Sequence, residues 1–351
     1  MSKPHSFFSG PDAVPTGTRV RHDRRSADLA FQGPLTPVRV RGADGNLGRP
    51  LTIGVVSNPK SHLNGGSSHF PPALRSQTLF ASPQTRNDLQ DQLDDFAARG
   101  VDMLVIDGGD GTVRDVLTAA RKAFRRMPCV AVLPSGKTNA LALDLGIPVH
   151  WSVRSMLDAL RAGRIATRAP VEVWRRGADR PEHVGFLLGA GAFVRATSLA
   201  QKTHRVGAFN GMAVGLSLMW SIAQTLFGSA ENVWRQGDRM RIRGDVTVDR
   251  SFYLVLASTL ERLPLGLKPF GRRRAGLKVL AVDAPPKKLA WHLPFLLAGS
   301  ESRRLADNGY HHGSPQSFEL DLDGEFILDG ERYPGGELLI RMGEPLHFVV
   351  P

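Results

Sequence analysis

Cysteine is almost missing from this chain: Cys129 is the one example in 351 residues. A lone thiol cannot close an internal disulfide, so a cross-linked secreted scaffold is excluded and nothing points to an oxidising compartment. Long apolar runs are missing too. A spanning helix needs about 20 mostly apolar residues. The nearest approach, 211–228, is interrupted by three glycines, two serines, Gln224 and Thr225, and reads as a buried or half-buried helix. No apolar run follows the first few charges, so a signal peptide is not expected. Aromatic residues make up 7% of the chain and are not interleaved with the basic clusters, among them Arg272-Arg273-Arg274, Lys287-Lys288 and Arg303-Arg304. That argues against a stacking platform for nucleic acid. Acidic residues are outnumbered, 33 against 45 basic, for a net charge of +12. Scattered basic clusters suit an anionic membrane surface better than a base-reading groove, and a simply solvated basic surface accounts for them equally well.

Familiar signatures are also lacking. No GxSxG or HExxH occurs, and no GxGxxG opens the first strand–helix turn. His292 and His311-His312 have no second ligand set at metal-site spacing.

What is present has a clear order. Residues 1–50 are rich in Pro, Gly, Ser and Arg and read as a disordered or loosely attached basic tail. From Leu51 the pattern is strand (51–57), loop, helix (87–99), strand (101–106), turn, helix (113–124) and strand (129–133). Continuous apolar strands alternating with helices predict a parallel α/β domain over 51–165, with helices on both faces of the sheet. Ligands of such sheets bind at the carboxyl ends of the strands, where the loops 58–66, 108–112 and 134–139 all emerge. From 166 onward, short alternating runs separated by Gly, Asp and Pro predict a β-rich, antiparallel, sandwich-like second domain. Its last strand is free to return to the first domain. Helical insertions are expected near 199–228 and 286–306.

Three segments could carry chemistry. Gly108-Gly109-Asp110-Gly111-Thr112 directly follows a strand. Glycines let the backbone approach phosphate oxygens, and the N–H groups opening the next helix favour an anion. Asp110 is suited to hold Mg²⁺ or to order the loop; a tight turn capped by that aspartate explains the segment equally well. Pro134-Ser135-Gly136-Lys137-Thr138-Asn139 invites a P-loop reading that fails, since position 131 is alanine where the first glycine is required. Asp329-Gly330-Glu331, with Asp323-Gly324-Glu325 before it, reads most simply as a hairpin turn. One of these carboxylates becomes a candidate general base if the second domain folds over the first.

The ordered set Asn58-Pro59-Lys60, Gly108–Thr112, Pro134–Asn139 and Asp329-Gly330-Glu331 resembles the bacterial diacylglycerol kinase catalytic-domain family, lipid kinases related to sphingosine kinases and distantly to NAD kinases. The resemblance runs from about Leu51 to the C-terminus. It implies an active site in a cleft between the two domains and transfer of the γ-phosphate of ATP to the hydroxyl of diacylglycerol or a related lipid alcohol. It implies that Asn58, Pro59, Lys60, Gly108, Gly109, Gly111 and Thr112 hold phosphates, and that Ser135, Gly136, Lys137, Thr138 and Asn139 add nucleotide contacts. Asp110 would act with Mg²⁺ through ATP, and Glu331 would be the general base. A cytoplasmic protein touching the inner membrane face follows from the same likeness. Lys137 stands where the family commonly has threonine, Ala140 where it has aspartate, and Arg114-Asp115 where it often has Asn-Glu. Ala275-Gly276-Leu277-Lys278 lacks the aspartates that bind a structural Mg²⁺ in some members, so that site is expected to be absent. A kinase of a soluble substrate, such as an NAD kinase, and an inactive lipid- or nucleotide-binding relative are the alternatives.

Overall fold

The computed structural model describes residues 29–30, 39–41, 47–58, 77–204, 233–272 and 276–351. The apolar stretch 211–228 and Pro59, Lys60 and the rest of the loop through Gly66 therefore lie outside the described residues. Within the segment read as a tail, Leu29–Ala30 (β1), Arg39–Arg41 (β2) and Leu47–Pro50 (β3) pair as a small antiparallel sheet.

The chain divides into two compact units. One comprises the described residues up to Ala169 together with Glu344–Pro351; the other runs from Pro170 to Gly343. The first is built on Ile53–Ser57 (β4), Thr78–Ala81 (β5), Met103–Gly108 (β6), Cys129–Pro134 (β7), Ile165–Arg168 (β8) and the C-terminal Leu346–Val349 (β18), in the order β5-β4-β6-β7-β18-β8. The pairs β5–β4, β4–β6, β6–β7 and β7–β18 are parallel, and β8 closes the edge antiparallel to β18. The central strands are largely apolar because both faces are covered: Met103, Leu104, Val105 and Ile106 are all fully buried. At roughly 1.5–3 kcal/mol for each such side chain removed from water, this run holds β6 in the sheet's interior, between β4 and β7.

Arg86–Ala98 (α1) starts where the Thr85 hydroxyl accepts from the Asp88 N–H at 3.1 Å, and it turns Leu89, Leu93 and Phe96 inward at helical spacing. Asp110–Ala123 (α2) follows β6 with Gly109 at its N-cap and no side-chain cap. Ala140–Asp144 (α3) and Val153–Arg161 (α4) follow β7. After β4 the chain adds β5 on one side of it, and after α1 it adds β6 on the other. The order thus reverses at β4, the position where open α/β sheets form a crevice beyond their strand ends.

The second unit is antiparallel and β-rich. Its strands are Val171–Arg175 (β9), His183–Gly185 (β10), Leu187–Gly191 (β11), Asp238–Arg243 (β12), Thr247–Ser258 (β13), Lys278–Asp283 (β14), Tyr310–Gly313 (β15), Ser317–Leu328 (β16) and Glu331–Met342 (β17). They form one nine-stranded sheet in which β11 and β12 lie end to end in the slot between the 12-residue strands β13 and β16. Alternation decides the layers. Val255, Ala257, Val279 and Ala281 join one core that extends across the sheet to Val171, Phe318 and Ile340. Their neighbours Leu256, Leu280 and Val282 face the other way, onto Leu289, Leu296 and Leu305 of the helices Leu289–Leu297 and Arg303–Asp307. Asp323-Gly324 is no turn: the register shifts between Leu322 and Glu325, and the two residues form a bulge within β16. Ala192–His204 (α5) follows β11. No helix among the described residues is long and apolar enough to cross a membrane.

Candidate functional site

The carboxyl ends of β4, β6 and β7 and the loop joining β5 to α1 surround a cavity of about 490 Å³. Asn58, Gly109, Gly111, Thr112, Ser135, Gly136 and Lys137 line it, as do Gln84, Thr85, Arg86, Arg114 and Asp115. Gly108, Asp110, Thr138 and Asn139 belong to the same loops but are not among the lining residues.

The loops are fastened by two carboxylates, the Asn58 amide and a backbone contact between glycines. Asp107, the last side chain of β6 before the glycines, accepts from the Ser135 hydroxyl at 2.7 Å and from the Ser57 hydroxyl at 3.3 Å. Its own carbonyl accepts from the Asn58 N–H at 3.1 Å. One residue thereby ties the ends of all three strands. Asn58 also donates through its side chain to the Thr112 hydroxyl at 3.0 Å. Asp110 accepts from the Leu141 N–H at 3.4 Å, and the N–H groups of Asn139 and Ala140 also support it, so it seats the start of α3 against the start of α2. Burial pushes its carboxyl above the usual carboxylate range; those backbone donors and the nearby Arg114 guanidinium pull the other way without cancelling the shift. Finally, a Cβ on Gly109 would lie 2.8 Å from the Gly136 Cα, and one on Gly136 would collide with Gly109. The two loops touch backbone to backbone, which any side chain would prevent. Asn139, at φ 49°, closes the third loop by donating to the Gly136 carbonyl at 2.8 Å and accepting from the Gly136 N–H at 3.0 Å.

Gly111 differs from these. A Cβ there would meet only the Arg114 guanidinium, at an ordinary 3.7 Å. Packing within the protein does not demand glycine, so the residue keeps open the surface over the uncapped N-terminus of α2. That is the form of an anion cradle: a helix start without a side-chain cap, bare glycine, and on the lining Arg86 and Lys137 beside the Asp115-paired Arg114. The donor set fits the phosphates of a nucleotide. It fits a metal held by protein alone less well, since no group of three or more His, Cys, Asp or Glu is poised to bind one among the described residues. Mg²⁺ commonly uses one or two carboxylates plus phosphate oxygens, and Asp110 and Asp115 are the carboxylates at hand.

Asp329-Gly330-Glu331 lies in the other unit. Asp329 and Gly330, with φ of 45° and 82°, form the two-residue turn between β16 and β17, and both signs match the tight hairpin type that favours Asp-Gly. The Asp329 carboxylate accepts from the Phe186 N–H at 3.0 Å and the Leu187 N–H at 2.9 Å, pinning the turn to the start of β11. Glu331 opens β17 and is exposed.

Sequence reasoning missed Asp107, Arg114 and the 83–86 loop. A carboxylate at the end of an otherwise apolar buried strand was a usable signal for Asp107. Arg114 is 3% exposed and pairs with Asp115 at 2.8 Å, although it sits on the apolar stripe of α2 beside Val113 and Leu117. A charge inside that stripe marks a partnered site. Nothing in the local sequence pointed to 83–86, because strand β5, which delivers it, has only four residues.

Residues 52–173 match the family model described as the diacylglycerol kinase catalytic domain. No curated protein matches the chain. Among solved structures, a Bacillus anthracis str. Sterne protein described provisionally as a diacylglycerol kinase is similar at 16% identity and a TM-score of 0.61, over 86% of this chain and 97% of that one. A diacylglycerol kinase from the same organism gives 14% identity and a TM-score of 0.59 over the same shares. At such identities the likeness is one of fold, and it takes in both units.

Proposed function

We propose, from the match of residues 52–173 to the diacylglycerol kinase catalytic-domain model, that this chain transfers the γ-phosphate of ATP to the hydroxyl of diacylglycerol or a related lipid alcohol. The observation that supports this most is the cavity at the reversal point of the parallel sheet, where three loops are locked together around an uncapped helix start. In this reading the α2 N-terminus, Gly109, Gly111 and Thr112 receive phosphate oxygens, and Asn58 holds Thr112 in place. Arg86 and Lys137 supply positive charge at the rim, so Lys137 takes over electrostatically from the threonine common in the family. When bound, ATP supplies the phosphoryl group and Mg²⁺ offsets its charge. The protein's own part in such transfer is positioning and charge neutralisation. Asp110 serves first as the strut between α2 and α3, and with Asp115 it would be a carboxylate for the metal that travels with the nucleotide. Glu331 is the base: it accepts the hydroxyl proton as the oxygen attacks phosphorus. The pinned hairpin fixes its backbone while leaving its carboxylate exposed.

The test is direct. Protein incubated with γ-labelled ATP, Mg²⁺ and a panel of lipid alcohols is expected to label lipid. Label found only in NAD would replace the lipid with a soluble acceptor. ATP binding with no transfer to any acceptor would make the chain a non-catalytic relative.

A further inference from the structure

The helix Leu289–Leu297 has two unlike faces. Leu289, His292 and Leu296 are buried, with His292 edge-on to Tyr310 at 5.4 Å between ring centroids. The opposite side presents Ala290, Trp291, Pro294 and Phe295, and Ala298 just beyond the helix end. Trp291 is 72% exposed and Phe295 53%. Their i, i+4 spacing stacks them on one stripe, and that stripe carries no polar side chain. A solvated helix normally shows charge there. A third large apolar side chain, Leu265, is 68% exposed at the tip of a turn. The turn is fastened to the end of the helix by the Lys268 N–H, which donates to the Leu297 carbonyl at 2.8 Å.

The segments that flank this patch carry charge of one dominant sign. Lys287 and Lys288 precede the helix, Arg303 and Arg304 follow it, and Lys268 and Arg272 flank the turn; all six are exposed. Glu301 is occupied within this group, accepting from the Arg272 backbone N–H. Glu261 and Asp307 are the exposed acids of the same stretch. An apolar stripe with Trp and Phe, bordered by lysine and arginine, has the composition of a segment lying in a membrane interface.

We propose that the outer face of helix 289–297, with Leu265 beside its end, is a docking surface that seats in an anionic lipid bilayer. Trp291 and Phe295 enter the head-group boundary, and the surrounding cations meet lipid phosphates. The proposal extends the lipid-substrate reading by naming the surface that brings the protein to its substrate's phase. Its test is a binding measurement that needs no turnover, so it succeeds or fails separately from the kinase assay.

Full-length protein is sedimented with vesicles of phosphatidylcholine and with vesicles of equal parts phosphatidylcholine and phosphatidylglycerol, without ATP. Wild type is expected to partition onto the anionic vesicles preferentially, and less so as salt rises. The double variant Trp291→Ser, Phe295→Ser is expected to lose about tenfold or more of that partition, at unchanged Tm because both side chains are exposed. Lys287→Glu with Lys288→Glu is expected to lower binding and flatten its salt dependence. Should the double variant fail to fold, brominated lipid provides the second readout: it quenches wild-type tryptophan emission, and Trp291→Phe removes the quenched component. Three results would overturn the proposal. They are sedimentation of the double variant like wild type, equal partition of wild type onto neutral vesicles, and a concentration-dependent dimer that the double variant abolishes, which would give this face to a second copy of the chain.

Discussion

Two carboxylates, Asp110 in the parallel unit and Glu331 in the antiparallel one, stand in opposite environments. Asp110 is enclosed by loops, accepts from the start of α3 and is pushed above the ordinary carboxylate range by burial. Glu331 is exposed on the first residue after a two-residue turn whose neighbour, Asp329, does the fastening. In the parallel unit the proposed binding surface is made from backbone: glycines in contact and an uncapped helix start, with side chains as struts. In the antiparallel unit the backbone is a ladder already paired, and the role proposed for Glu331 rests on a side chain next to a turn. Loss of a side chain should therefore damage the two regions in different ways.

The sharpest way to break this contrast is Glu331→Gln. It should lower turnover by about 10²–10⁴-fold, the usual contribution of a positioned proton acceptor, with nucleotide binding and Tm unchanged. Near-normal turnover would remove Glu331 as the base. Next comes Asp329→Ala. It leaves the Phe186 and Leu187 N–H groups without that acceptor and puts alanine at positive φ, costing about 1–3 kcal/mol by denaturant titration. Turnover should fall with it while nucleotide affinity holds. Gly136→Ala should do the reverse: the forced separation from Gly109, about 1–3 kcal/mol of overpacking, is expected to weaken ATP binding measured by calorimetry. Unchanged affinity would mean that the two loops need not touch.

A smaller effect concerns pH. The native pKa of Asp110 lies above its unfolded value, so the native state holds the extra proton and this group's contribution to stability declines as pH rises above the ordinary carboxylate value. Urea titrations from about pH 4 to about pH 7 should show that slope in wild type and lose it in Asp110→Asn. An identical slope in the two proteins would rule the assignment out. The smallest expected signal is chemical. Burial pushes the Cys129 thiol up to about 12, so alkylation near neutral pH should be slow in the native protein and fast in urea.

Much of the parallel unit was legible because both faces of its sheet are covered and the strands are uninterrupted apolar runs. The segments 51–57, 101–106 and 129–133 coincide with β4, β6 and β7 to within about two residues, the usual uncertainty of element ends. Short edge strands were illegible: β5 and β8 have four residues each, too few for a period to show. In the antiparallel unit the sequence broke 317–328 into two strands at Asp323-Gly324. Local composition cannot distinguish a turn from a bulge whose partner strand simply continues. At the site, the glycines and Asn58 carried their own signal. The tie through Asp107 did not, since it joins Ser57 to Ser135, 78 positions apart in the numbering.

The sequence by itself determined the alternation of elements in the first unit, the β-rich character of the second, the turn at Asp329-Gly330 and the glycine-rich start of α2. These depend on near neighbours along the chain: period, backbone freedom and turn chemistry. Only the tertiary structure decided that Gly109 and Gly136 touch, that Asp110 supports α3, that the last strand joins the first sheet and that one face of helix 289–297 stays bare. Each of these depends on which surfaces meet when distant segments pack, and a sequence read locally records the residues that meet without recording the meeting.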